Sequence, residues 1–250
     1  GTAHGYQLTA PFESFQKLGK QSGWLFYVPA WNTSHIDPTT GFVNLHHFKY
    51  ESVAQATDII DKLSNIRYNP EKDYFEFAID YNEFTFKGGD SQKYWVVCST
   101  PYKRYVFDKK ANMGRGGTKA IDINAELKAL FAAHGVDYAS GEDLRPQIKA
   151  KANKELLSQL LFLLKTLTAM RYTNASSYED YILSPVANKA GEFFDSRKGD
   201  AALPLDADSN GSYHIALKGL CLLQRVYDWH GEEFKGLDLF ISNNDWLKFA

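Results

Sequence analysis

Along the chain the spacing of apolar residues changes from helical to strand-like and back. Pro11 followed by Phe12, Phe15 and Leu18 predicts a short amphipathic helix ended by Gly19 or Gly23, and Trp24 to Val28 is apolar enough to be a buried strand. The next stretch, Trp31 to Phe42, is rich in Asn, Thr, Ser, Asp, Pro and Gly and reads as a loop. Ser52 to Leu63 opens on a serine cap and places Val53, Ile59, Ile60 and Leu63 at helical spacing, so a helix is expected there. From Tyr74 to Tyr81 the period drops to two, with Phe75, Phe77 and Ile79 alternating against Glu76, Ala78 and Asp80. Lys93 to Cys98 and Lys103 to Phe107 are similarly rich in strand formers, and the three together predict a small antiparallel sheet.

Met113 to Gly117 reads as a mobile glycine-rich connection, after which Asn124 to Ala133 returns to helix and closes at Gly135. The strongest helix signal runs from Lys154 to Arg171. Leucines at 156, 157, 160, 161, 163, 164 and 167, with Met170, make an apolar face broad enough to imply burial between layers. A polar turn at Tyr172 to Ser177, a short extended piece near Tyr181 to Leu183 and a Gly-, Asp- and Pro-rich connection lead to Asp206. A last long helix is expected from there through Tyr227, then a short strand at Leu237 to Ile241 and a terminal helical turn. No internal repeat is visible.

Composition narrows the class. With 250 residues, 44% hydrophobic and 15% aromatic, the chain can bury one substantial core or two smaller ones. No apolar run approaches the roughly 20 residues a membrane-spanning helix needs, and Gly1 to Gly5 lacks the blocks of a secretory signal, so a cytoplasmic location is expected. Cys98 and Cys221 lie far apart without CxxC spacing and read as small buried hydrophobes, not as a disulfide or zinc pair. His46 and His47 are adjacent with no further ligand close by, which favours a surface reading.

The net charge of −2 conceals an asymmetry. Lys87, Lys93, Lys103, Arg104, Lys109, Lys110, Arg115 and Lys119 face only Glu83, Asp90 and Asp108 between positions 81 and 120. Tyr94, Trp95, Tyr102, Tyr105 and Phe107 are interleaved with them, a composition suited to tracking a nucleic-acid backbone and stacking its bases. An ordinary solvated hairpin has the same composition.

Asp206-Ala207-Asp208-Ser209-Asn210-Gly211 is the most chemically loaded string, with three oxygen-bearing side chains expected to converge at a helix start. A helix cap with acids complementing the dipole is the plain reading. A calcium loop matches at the first, third, fifth and sixth positions but has Leu217 where a bidentate Glu is required. A third reading makes Asp208 a nuclease carboxylate for a hard divalent cation, with partners from elsewhere.

Read whole, Asp206 to Gly219 (DADSNGSYHIALKG) closely resembles the third RuvC motif of the type V-A CRISPR effectors, the Cas-twelve-a family. Tyr6 to Phe12 (YQLTAPF), Lys17 to Gly23 (KLGKQSG), Phe26 to Ala30 (FYVPA) and Ile36 to Val43 (IDPTTGFV) are similar to that family too. So are Met170-Arg171, Glu179 to Ile182, Ser184 to Val186 and Phe193 to Arg197, all in the family's order; the 85–120 region diverges.

The resemblance implies an α+β fold in which partial RNase H-like (RuvC) segments flank an inserted α/β Nuc domain. Residues 1–30 would be the tail of the middle RuvC segment, 31–204 the Nuc domain and 205–250 the final RuvC segment. It implies an RNA-guided DNA endonuclease of prokaryotic antiviral defence that hydrolyses phosphodiester bonds with Mg2+ at one composite RuvC site. The partners implied are the target and displaced DNA strands and, through other parts of the full protein, a guide RNA, in a monomeric cytoplasmic effector without membrane contact. Asp208 matches the family's third catalytic carboxylate and metal ligand. Arg171 matches the Nuc arginine associated with target-strand cleavage and DNA binding, and Asp180 another Nuc acid at the DNA.

Without the resemblance, Arg171 reads as a basic residue at a helix C-terminus and Asp180 as a surface acid. Tyr172-Thr173 stands where relatives commonly have Asn-Ser. The Asp and Glu of the first two RuvC motifs are not found here, so the chain is expected to be a piece that does not cut DNA alone. The rival function is a non-catalytic nucleic-acid-binding module in which Asp208 merely serves its helix.

Overall fold

A computed structural model describes residues 28, 30–45, 47–80, 94–99, 102–110, 116–174, 179–199, 202–230, 240–242 and 245–246. Ser52 caps helix α1 (Val53–Lys62) by accepting from the Gln55 amide. The chain passes directly into strand β1 (Leu63–Asn69), turns through Asp73 at φ 55°, and returns as β2 (Tyr74–Asp80). β3 (Tyr94–Cys98) continues this antiparallel set. β4 (Arg104–Asp108) does not join it. It pairs with β5 (Gly117–Ile121) in a separate two-stranded ribbon, so the three strands expected to form one sheet are divided between two.

Helices α2 (Ile123–Ala133), α3 (Arg145–Ala150) and α4 (Lys154–Thr168) follow. Asp122 and Asn153 cap α2 and α4 through the amides of Ala125 and Leu156. All seven leucines of α4 are buried, while Phe162 and Lys165 face solvent, in keeping with the broad apolar face. This helix packs on α1, α2, β4 and β7 and so lies between layers.

Beyond α4 the chain forms β6 (Arg171–Asn174), β7 (Glu179–Ala187) and the short β8 (Phe193–Asp195), then a 3-10 turn at Ser196–Lys198 and the long helix α5 (Ala207–Tyr227). β7 joins the first sheet through one antiparallel pairing, Val97 with Val186, giving the order β1-β2-β3-β7-β6 with β8 alongside β7. The fold is α+β, with antiparallel sheets and five α-helices among the described residues.

One large apolar cluster runs from Ile36 through α4 to Trp246, and a small separate one joins Tyr172, Tyr181 and Leu183 with Tyr102 beside them. No described helix is long and apolar enough to cross a membrane.

Several sequence expectations change, among them the polar turn expected from Tyr172, which is strand β6 as far as Asn174. Arg171 is the first residue of a strand, because α4 stops at Thr168 and Tyr172 pairs with Tyr181, so it is not a helix-terminal cation. Part of the expected glycine-rich connection is β5, and part of the loop at 31–42 is a 3-10 turn at Thr33–His35 followed by a bridge between Ile36 and Val43. Cys98 is buried, but Cys221 is only partly so. Residues 240–242 carry no strand; the other residues expected in it, and the expected elements before Val28, lie outside the described residues.

Candidate active site

Two elements far apart in sequence bring three charged side chains together. Arg171 and Asp180 project from one face of the β6–β7 pair, whose register sets Arg171 opposite Ile182 and Thr173 opposite Asp180. The arginine reaches diagonally across: Nε donates to Asp180 Oδ1 at 3.1 Å and Nη2 to Oδ2 at 2.7 Å, a two-pronged pair that fixes the guanidinium plane. The same Nη2 also donates to Asp208 Oδ1 at 3.2 Å.

Asp208 enters from the first turn of α5. Its carboxylate is 86% exposed, whereas the side chains of Arg171 and Asp180 are 28% and 26% exposed. An ion pair on so open a carboxylate contributes only ~0–1 kcal/mol, so handing Asp208 over to another cation costs little. The hydrogen bonds that Asp180 accepts, more than the proximity of Asp208, hold the guanidinium above its ordinary range, and it stays cationic.

The start of α5 separates the three oxygen side chains expected to converge. Asp206 is the cap: its Oδ1 accepts from the Ser209 amide at 2.6 Å while Ser209 Oγ accepts from the Asp206 amide at 3.0 Å, a closed capping box. Those bonds hold Asp206 below the usual carboxylate range. Asn210 turns inward and is fully buried, its Nδ2 donating to the carbonyls of Ile36 at 2.8 Å and Thr33 at 3.3 Å. Asp208 alone is left facing outward. With Asp206 committed to the cap and Asn210 to the interior, the calcium-loop reading loses two of its ligands.

Sequence reasoning missed His35. It stands at the end of the 3-10 turn on which α5 packs, with Nδ1 3.0 Å from Ser34 Oγ. Desolvation by its neighbours lowers its pKa although the residue is exposed, the Arg171 charge lowers it further, and Asp180 opposes both. A neutral imidazole therefore accompanies the guanidinium at neutral pH. No periodicity marks this residue; only folding carries it to Arg171.

As a metal centre the described residues are incomplete. Among them no group of three or more His, Cys, Asp or Glu is placed to hold an ion, and Asp180 is occupied by Arg171. Asp208 offers one accessible oxygen donor, which suits one ligand of a magnesium site but not a whole one.

The nuclease-domain family (NUC) matches residues 36–198, well over half of the chain. The chain belongs to this nuclease-domain family. The matched span contains β1 to β8, and with them Arg171, Asp180 and the 36–43 bridge. Asp208 lies ten residues beyond its end and is joined to it through Arg171.

Proposed function

We propose that the chain forms the Nuc domain and the adjoining final RuvC segment of an RNA-guided DNA endonuclease of the type V-A kind. Residues 31–204 are the Nuc domain in this reading, 205–250 the final RuvC segment and 1–30 the tail of the preceding one. The observation that carries it is the Arg171 guanidinium, which links an acid of the nuclease-domain family's own sheet to an exposed carboxylate on the helix that follows.

A phosphodiester entering here meets a fixed cation with donors in a fork geometry suited to phosphate oxygens. Asp180 keeps that fork oriented, and Arg171 can shift its weaker contact from Asp208 to the incoming phosphate. Asp208 would be one ligand of Mg2+, the remaining oxygen donors coming from other RuvC segments of the same effector. When bound, the ion supplies charge neutralisation at the scissile phosphate. Guide RNA and PAM recognition belong to other parts of the effector in this reading.

The test is strand-resolved cleavage by the guide-loaded effector that carries this chain. Asp208→Ala should abolish cutting of both strands, because the loss acts on the chemistry itself. Arg171→Ala should leave a nicked intermediate with the displaced strand cut and the guide-paired strand intact, since it removes positioning and leaves Asp208 in place. Undiminished cutting by Asp208→Ala would overturn the reading. Equal loss of both cuts in Arg171→Ala would remove strand positioning from Arg171.

A further inference from the structure

The opposite face of the same two strands carries a second constellation of cations and rings. Tyr172 and Tyr181, paired in register, turn away from Arg171 and Asp180 and stack with centroids 5.3 Å apart and planes 21° from parallel. Arg104, fully buried, lies 5.8 Å from the Tyr172 centroid and donates through Nη1 to the Leu183 carbonyl at 2.9 Å. At the other end Arg197 sits over Tyr181, its Cζ 4.1 Å from the ring centroid. Arg197, Tyr181 and Tyr172 form a stacked column that is half-exposed at Arg197, and at its buried end Arg104 Nη1 donates to the Tyr172 hydroxyl at 3.4 Å.

The outer guanidinium is held rigidly. Nε donates to Asp195 Oδ1 and Nη2 to Asp195 Oδ2, both at 2.8 Å, while the Asp195 side chain is only 2% exposed. One face of the guanidinium lies on Tyr181, and Nη1 is not engaged by Asp195. Beside it Lys198 lies over the Tyr102 ring at 4.8 Å and donates to the Tyr102 hydroxyl at 2.9 Å. Tyr105 on β4 is within electrostatic reach of Arg197, and Phe107, one alternation further along that strand, is 69% exposed. A cavity of about 550 Å³ adjoins the patch, with Tyr102, Lys198, Phe193, Phe194 and Asn188 among its walls.

The geometry points to a second nucleic-acid subsite here, in which unpaired bases of single-stranded DNA stack on the Arg197-capped column and the exposed β4 rings while Lys198 meets the backbone phosphate. It rests on the nuclease reading for its substrate class and adds a holding surface on the face away from Asp208. Flat π-surfaces and a cation plane recognise base faces of any sequence, and those faces are available only on an unpaired strand. Two cations beside three partly exposed rings complement a polyanion, and the acid that orients Arg197 is hidden beneath it.

Binding of fluorescent oligonucleotides to the whole chain, followed by anisotropy without added metal, decides the matter. A thymidine oligomer should bind, and the same oligomer with abasic sites should bind about tenfold more weakly, because stacking is lost while the charge is kept. Arg197→Lys keeps a cation for Asp195 but removes the planar cap; it should lose most of the same factor and no longer discriminate abasic from normal strands. Lys198→Ala should lower the salt slope by about 0.7. Lys165→Ala, a charge on the exposed side of α4, serves as control and should change nothing. Arg197→Ala strands a buried carboxylate and threatens the fold, so Arg197→Lys and the abasic strand carry the decision.

Equal affinity for abasic and normal strands, or wild-type behaviour of Arg197→Lys, would overturn the inference. Weakened binding in Arg171→Ala with none in Arg197→Lys would overturn it and leave the nuclease reading standing. Failure to bind single strands at all would also overturn it, while the nuclease reading stands or falls on strand-resolved cleavage by the effector.

Discussion

Lys218 shows how one side chain can set a cost that the chain carries at neutral pH. It lies almost fully buried inside α5, with Nζ 3.4 Å from the Trp31 carbonyl and 5.1 Å from the Trp246 ring centroid. Burial lowers its pKa to about 8, whereas an unfolded lysine titrates near ~10.4. Between those values the unfolded chain binds more protons, so this group's contribution to stability rises with pH across that window and is flat below it. Denaturant unfolding of the wild type relative to Lys218→Met, at pH 7.5 and again at pH 10, should show the wild type gaining on the order of 1–2 kcal/mol over the variant. No pH dependence of the difference would mean that Lys218 keeps its ordinary pKa in the fold and stays protonated across that range. The residue itself gave no warning in the sequence. It falls on the inner side of a helix whose apolar pattern is weak, and only Trp31 and Trp246 reveal the burial.

Among the elements, those with strong local signals were readable and those made by long-range pairing were not. α1, β2, β3, α2, α4 and α5 fall within a residue or a few of their expected bounds, because caps, alternation and the leucine face act over one or two turns. β1, β5 and β8 were missed, and β6 was read as a turn. Leu63 to Asn69 exposes or half-exposes most of its side chains and becomes a strand only by pairing with β2, and Gly117 to Ile121 only by pairing with β4.

The candidate site divides the same way. Arg171, Asp180 and Asp208 came from the family resemblance, and the fold brings all three together; His35 needed the fold itself. Asn210 is where two elements are registered against each other, since its amide satisfies two backbone carbonyls at the end of the 33–35 turn. Asn210→Ala should destabilise the chain by about 2 kcal/mol, measured by urea unfolding, because it leaves buried acceptors unpaired. It should also slow cleavage in the effector proposed above, since Asp208 stands two residues away on the same helix turn. Full stability with unchanged cleavage would show that the turn and the helix are registered by packing alone.

At the scale of the molecule, the active-site candidate and the proposed stacking column occupy opposite faces of the β6–β7 pair. α5 is secured chiefly by side chains that reach into the rest of the fold. Asn210 enters the 33–35 turn, Lys218 reaches the Trp31 carbonyl, and Asp208 meets Arg171. Leu205, in the connection ahead of the helix, is 59% exposed and contributes little to that hold. A chain nicked at a protease site introduced beside Leu205 should therefore keep its two pieces together through native gel filtration and part only in denaturant. Spontaneous separation would show that covalent continuity, not the interlock, retains the helix. If the pieces stay joined, Asp208 is a removable part: the C-terminal piece could be prepared with an altered carboxylate, exchanged onto the other, and the Arg171–Asp208 pairing rebuilt by mixing.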